Sequence, residues 1–127
     1  MRDRYLFRGK TEISERWVVG DLVQWSGDDM CICEEYNSTE KKQYSVIPET
    51  VGQYTGLNDK NGKKIFEGDI IKSTRAWYVI EFENCGYGLR AFGKTKIIPI
   101  MGHWNFNSNE VEVIGNIHDN PELLKGE

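Results

Sequence analysis

Apolar residues in this chain come in short runs rich in β-branched and aromatic side chains, and each run is soon broken by glycine or a polar cluster. Residues 77–82 (WYVIEF) are the densest of these runs, and such residues suit a pleated, half-buried strand. Residues 4–8 (RYLFR), 30–36 (MCICEEY), 44–47, 89–92 and 96–100 read as further short strands. Residues 16–25 (RWVVGDLVQW) read as two strands joined by a turn at Gly20-Asp21, and a turn is also expected at residues 9–12. Residues 37–42 (NSTEKK) are polar and read as a loop, and residues 110–117 alternate, with Val111 and Val113 facing one way. One helix signal stands out: Asn120 as cap, Pro121 at the first position, Glu122 complementing the positive end, and Leu123 and Leu124 to pack it down. With 13 glycines against 3 prolines in 127 residues, these signals predict one all-β domain over residues 1–127. Its sheet is mainly antiparallel, with SH3-like or barrel-like curvature and one short C-terminal helix.

Residues 56–71 (GLNDKNGKKIFEGDII) are the most legible stretch, and they admit a calcium loop, a catalytic loop or a hairpin. With Gly62 as the sixth position of an EF-hand loop, Leu57 falls at the first and Gly68 at the twelfth, and neither side chain ligates calcium. Asp59, Lys60, Glu67 and Asp69 lack the partner groups that an active site needs. Asn61-Gly62 is a strong hairpin signal because both residues tolerate positive φ. A hairpin tip is therefore expected at residues 58–62, with residues 50–54 and 65–66 in its arms, and Gly68 permits a bend or bulge before Ile70-Ile71. The pattern Gly-Asp-apolar-apolar occurs at residues 20–23 and again at 68–71, which mildly supports a curved sheet.

Two blocks carry a family resemblance. Residues 48–71 (PETVGQYTGLNDKNGKKIFEGDII) and residues 112–124 (EVIGNIHDNPELL) resemble the signature of the YopX family of phage and prophage proteins, in the family's order and with a strand pair between them. Residues 5–10 (YLFRGK), Trp17 and residues 20–22 resemble its opening more loosely, and residues 26–47 and 84–109 fall outside the resemblance. The resemblance implies a mainly-β fold, a phage or prophage origin, self-association and a function not yet characterised. It brings no reaction and no catalytic residues.

The formal net charge of −4 gives no overall attraction to phosphate backbones, so a nucleic-acid site would have to be a local patch. One candidate patch is the phase shared by Arg2, Arg4, Arg8 and Lys10, broken by Leu6, with Tyr5 and Phe7 on the other phase. Lys60, Lys63 and Lys64 would extend it. Trp77 reads as core, whereas Trp17, Trp25 and Trp104 lie near turns and are candidate contacts with a subunit or with a host or phage protein. No apolar run reaches the length of a membrane span and no h-region follows Met1, so the expected location is the cytoplasm of a bacterial host, with no membrane partner.

Cys31 and Cys33 lie two apart, about 6.6 Å at Cα on a strand, near the outer limit for a disulfide. With Cys85 they read as three reduced thiols in a reducing compartment. Adding His103 and His118 assembles a zinc site only on paper, since the paired spacing that structural zinc uses is missing. His103 beside Trp104 has no partner in sequence for base catalysis, and no nucleotide, hydrolase or metalloprotease motif occurs. The expectation is a non-enzymatic, homo-oligomeric binding protein without cofactor, with a nucleic-acid accessory factor as the alternative and an unrecognised enzyme as the third reading. No metal binding is coupled to folding in this reading, so a chelator is expected to leave the melting temperature unchanged; a drop of several degrees shows a structural metal.

Overall fold

The computed structural model describes residues 6–24, 29–35, 41–73, 76–83, 86–91, 98–99 and 110–125. Its contacts divide the chain into two compact units, Met1–Tyr54 and Thr55–Glu127. The strand pairs whose register is described are antiparallel, as the short alternating runs predict.

In the first unit, β1 (Phe7–Lys10), β2 (Trp17–Gln24), β3 (Met30–Glu35) and β4 (Lys41–Val46) form a meander. A 3-10 turn at Pro48–Thr50 leads into β5 (Gly52–Asn58), whose first residues pair with β1. The far end of β1 returns to β4: Thr11 bridges Val46, the Glu12 N–H donates to the Ser45 carbonyl at 3.1 Å, and the Ile47 N–H donates to the Lys10 carbonyl at 2.8 Å. The meander thus closes on itself, which removes the free edges that β1 and β4 would otherwise present there. Inside the closure Val18, Ile32 and Val46 are fully buried, with Phe7, Leu22, Met30, Tyr44 and Val51 packed against them. The alternation in β1 therefore sends Phe7 inward and Arg8 to the opposite face.

Three expectations for this unit are corrected. The first strand starts at Phe7 and includes Gly9 and Lys10, so the turn moves on to residues 12–14. β4 begins at Lys41, inside the stretch that reads as loop. The turn expected at Gly20-Asp21 is not there, because β2 runs unbroken through both residues. Gly20 marks a close approach instead: a Cβ there would lie 2.2 Å from the Cys33 carbonyl oxygen.

In the second unit, β6 (Lys64–Phe66) follows the end of β5, and five strands form one sheet. They are β7 (Asp69–Lys72), β8 (Trp77–Glu83), β9 (Gly86–Ala91), β10 (Ile98–Pro99) and β11 (Glu112–Asn116), in the order β10-β9-β8-β7-β11. Ile65, Ile71, Ile80, Leu89, Val111 and Val113 make the core, so Val111 and Val113 do point the same way. Trp77 is half-buried rather than central. The bulge in this unit lies on β11, between Val113 and Gly115, and not at Gly68, which forms the turn between β6 and β7.

The C-terminal segment Pro121–Lys125 is a 3-10 turn, not an α-helix. Asn120 does not cap it forward: its Oδ1 accepts the Asn116 N–H at 3.2 Å, and its own carbonyl accepts the Leu123 N–H at 3.0 Å. Among the described residues no helix is long and apolar enough to cross a membrane.

Gly20→Ala is expected to destabilise the protein by about 2–3 kcal/mol, since the added methyl can be accommodated only by moving backbone. A shift of the urea midpoint to lower concentration measures it, and an unchanged midpoint refutes the close-approach account.

Candidate functional site

Asp59 opens the tip of the β5–β6 hairpin and is only 4% exposed. Its N–H donates to the Lys63 carbonyl at 2.8 Å and its carbonyl accepts the Gly62 N–H at 3.0 Å, which makes a three-residue loop. Gly62 alone carries the left-handed conformation, with φ of 82°. The expected hairpin is therefore present, with arms at Gly52–Asn58 and Lys64–Phe66 instead of 50–54 and 65–66, but Asn61 does not share the positive φ read for the Asn-Gly pair. The Asp59 side chain takes over that work. Oδ1 accepts the N–H groups of Asn61 and Lys63, both at 2.9 Å, and Oδ2 accepts the Val113 N–H on β11 at 2.9 Å. The Lys60 N–H also donates to the Val111 carbonyl at 3.0 Å. The hairpin tip thus satisfies the side of β11 that β7 does not use.

Burial pushes the Asp59 carboxyl pKa up, but the N–H groups of Val113, Lys63 and Asn61 and the Lys63 charge outweigh it and hold the pKa below the ordinary carboxylate value. Asp69, also buried, plays a parallel part: its Oδ2 accepts the Phe66 N–H at 2.7 Å across the β6–β7 turn. The Asn116 Oδ1 accepts the N–H groups of His118 and Asp119 at 3.0 and 2.9 Å. Each of these side chains from the two signature-like blocks is engaged in holding a turn. The Lys60–Glu112 pair at 3.9 Å is exposed and contributes little. Arg90 is held by Glu81, through Nε at 2.7 Å and a second contact from Nη2. That hydrogen bond raises the Arg90 pKa.

Of the basic phase expected on the first strand, Arg2 and Arg4 lie outside the described residues. Arg8 and Lys10 do share one face, and Lys10 stands directly opposite Trp17 in the β1–β2 register. The Arg8 guanidinium lies 4.7 Å from the centre of the Trp17 ring and the Lys10 ammonium 5.8 Å from it, contacts each worth about 1 kcal/mol. Arg8 is only 8% exposed, so its guanidinium offers little surface to a phosphate. Trp25 and Trp104 lie outside the described residues, as do Cys85 and His103. Cys31 and Cys33 are free thiols on one face of β3, and Cys31 is buried with its Sγ 3.9 Å from the Ser45 Oγ. Among the described residues no group of three or more His, Cys, Asp or Glu is placed to hold a metal ion.

The most exposed apolar side chain among those described belongs to a residue that the sequence reading passed over. Ile13 is 99% exposed, at the apex of the β1–β2 turn. The turn is tightly held. The Thr11 N–H donates to the Arg16 carbonyl at 2.9 Å, the Arg16 N–H donates to the Thr11 Oγ1 at 3.1 Å, and the Thr11 and Ser14 hydroxyls are 2.7 Å apart. Glu15 adopts a left-handed φ of 53°, which costs a non-glycine residue about 1 kcal/mol. Beside the turn runs an open groove of about 460 Å³ between residues 11–14 and residues 43–45. Tyr44 lines it, with the Arg16 guanidinium 5.1 Å from its ring centre. The available sequence signal is a lone isoleucine inside the polar stretch TEISER.

These features define a class: an antiparallel β protein whose buried acids brace turns and which presents an exposed isoleucine on a rigid loop. The chain belongs to the YopX family, whose model, described as YopX protein, matches residues 6–125. It is similar in fold to the crystal structure of protein EF1440 from Enterococcus faecalis, at 22% identity and a TM-score of 0.52, over 93% of this chain and 96% of that one. No curated protein matches the chain.

Asp59→Asn keeps the size of the side chain but turns one acceptor into a donor facing a backbone N–H, and about 2 kcal/mol of stability should be lost at neutral pH. Because the folded pKa is depressed, the carboxylate's contribution is fully present above the unfolded value of about 4 and disappears as pH falls through the folded value. The gap between wild type and variant in urea unfolding should therefore be constant from pH 7 to 5 and narrow below about pH 4. A gap that widens on acidification refutes this account.

Proposed function

We propose that this protein is a phage- or prophage-encoded binding protein that acts by associating with copies of itself in the bacterial cytoplasm, without catalysing a reaction. The observation that carries the reading is Ile13, an isoleucine with 99% of its surface exposed on a turn fixed by its own hydrogen bonds. A flexible loop can fold an apolar side chain away, whereas a rigid one keeps it available, and such a residue lowers the entropy lost on binding. Phe82 and Val19 add exposed apolar surface, at 50% and 36%.

The buried acids of the second unit give the reading further support. Asp59 and Asp69 accept backbone N–H groups, so neither is poised to move a proton to or from a substrate. The phage or prophage origin follows the resemblance of the two signature blocks. Light scattering on the intact protein should give a mass well above the 14.7 kDa of one chain at micromolar concentration. A mass that stays at one chain at every concentration overturns the reading, and salt-dependent binding to DNA or RNA is then the next measurement.

A further inference from the structure

We propose that Asn61-Gly62 is a site of spontaneous covalent modification, in which the asparagine amide becomes an aspartyl or isoaspartyl acid, and that Asp59 sets its rate by withholding the Gly62 nitrogen. The proposal rests on the hairpin tip alone and is independent of self-association.

The reaction needs two groups on neighbouring residues. Solvent hydroxide removes the proton of the amide that follows the asparagine. That nitrogen attacks the side-chain Cγ, the Cγ–Nδ2 bond breaks, and ammonia leaves after taking a proton from water. Water then opens the cyclic imide at either carbonyl. One product is aspartate; the other is isoaspartate, in which the main chain runs through the former side chain and is longer by a carbon. Asn61-Gly62 is the one Asn-Gly pair in the chain, and glycine leaves the attacking nitrogen least crowded because it has no Cβ.

The fold treats the two reacting groups differently. The electrophile is available: Asn61 is exposed, and among the described residues no hydrogen bond engages its side-chain amide. The nucleophile is withheld, because the Gly62 N–H donates to the Asp59 carbonyl at 3.0 Å. Both flanks are tied to the same residue. The Asn61 and Lys63 N–H groups reach the Asp59 Oδ1 at 2.9 Å, and the Asp59 N–H donates to the Lys63 carbonyl at 2.8 Å. The Gly62 nitrogen can turn towards Cγ only by leaving the Asp59 carbonyl, and the peptide plane that carries it cannot rotate freely between two anchored neighbours. Attack requires the reacting atoms close together and aligned, so the reaction waits for local opening of the tip.

Asp59 is in turn held from outside the loop. It is only 4% exposed, its Oδ2 accepts the Val113 N–H at 2.9 Å, and the neighbouring Lys60 N–H donates to the Val111 carbonyl at 3.0 Å. Opening the tip therefore loosens its hold on β11, and the isoaspartyl product makes that loss permanent. Its extra main-chain carbon lies inside a three-residue loop whose ends and middle are all fitted to Asp59.

The test incubates four samples of the intact protein at mildly alkaline pH: folded wild type, wild type unfolded in urea, Asn61→Gln and Asp59→Ala. Modification is followed by mass spectrometry of the peptide that contains residue 61. Folded wild type should react at least ~10-fold more slowly than unfolded wild type. Asn61→Gln should remove the signal from this peptide, and isolated isoaspartyl protein should unfold at lower urea than wild type. Asp59→Ala should react at least ~3-fold faster than wild type brought to the same global stability by low urea, a difference that general destabilisation does not produce. Should Asp59→Ala fail to fold, hydrogen exchange of the Gly62 amide in wild type decides: folding should slow it and the modification by the same factor, within ~3-fold. Folded wild type that reacts as fast as the unfolded chain overturns the proposal. So does an Asp59→Ala rate equal to that of stability-matched wild type, or a Gly62 amide that exchanges freely while modification stays slow.

Discussion

Three backbone N–H groups converge on one carboxylate, that of Asp59, and the second unit is organised around that convergence. Two of the donors are local, from Asn61 and Lys63, and the third comes from Val113, 54 residues further along the chain. A buried carboxylate without such donors would be forced towards its neutral form, and buried N–H groups without an acceptor would each cost free energy. Brought together, the two problems cancel. The same contact decides the fate of β11, whose outer side would otherwise be available to another strand. Loop and edge strand are thus stabilised by one residue, and neither is complete without the other.

The first unit solves its edge problem by closure. β1 and β4 meet through Thr11 and Val46, so the turn that follows β1 is stitched to the strand three elements along. That stitching makes the turn rigid, and it places the Ile13 apex beside the groove along residues 43–45. The candidate contact surface is therefore a by-product of how the sheet curves: a flat meander would have left the same residues on a mobile loop.

Two copies of one sequence pattern show why local reading has a limit. Gly20-Asp21-Leu22-Val23 and Gly68-Asp69-Ile70-Ile71 look alike, yet the first runs through the middle of β2 and the second turns the chain into β7. Gly20 is set by the Cys33 carbonyl across the sheet, whereas Asp69 reaches back only three residues to the Phe66 N–H. The C-terminal segment makes the same point: Asn120, Pro121 and Glu122 are good helix starters, but the Asn120 side chain is drawn to the Asn116 N–H and a short 3-10 turn results.

The sequence by itself determined the strand character, the antiparallel pairing, a hairpin tip at residues 58–62 and the inward phase of Phe7, Val111 and Val113. Those follow from a side-chain period of two and from turn chemistry, both of which act over a few residues. Only the tertiary structure decided that Arg8 is buried against Trp17, that Gly20 lies in a strand, that Asp59 braces β11 and that Ile13 stands exposed on a fixed turn. In each of those cases the deciding partner lies on another strand. Nothing within a short window of sequence distinguishes a charge that will be covered from one that will face water.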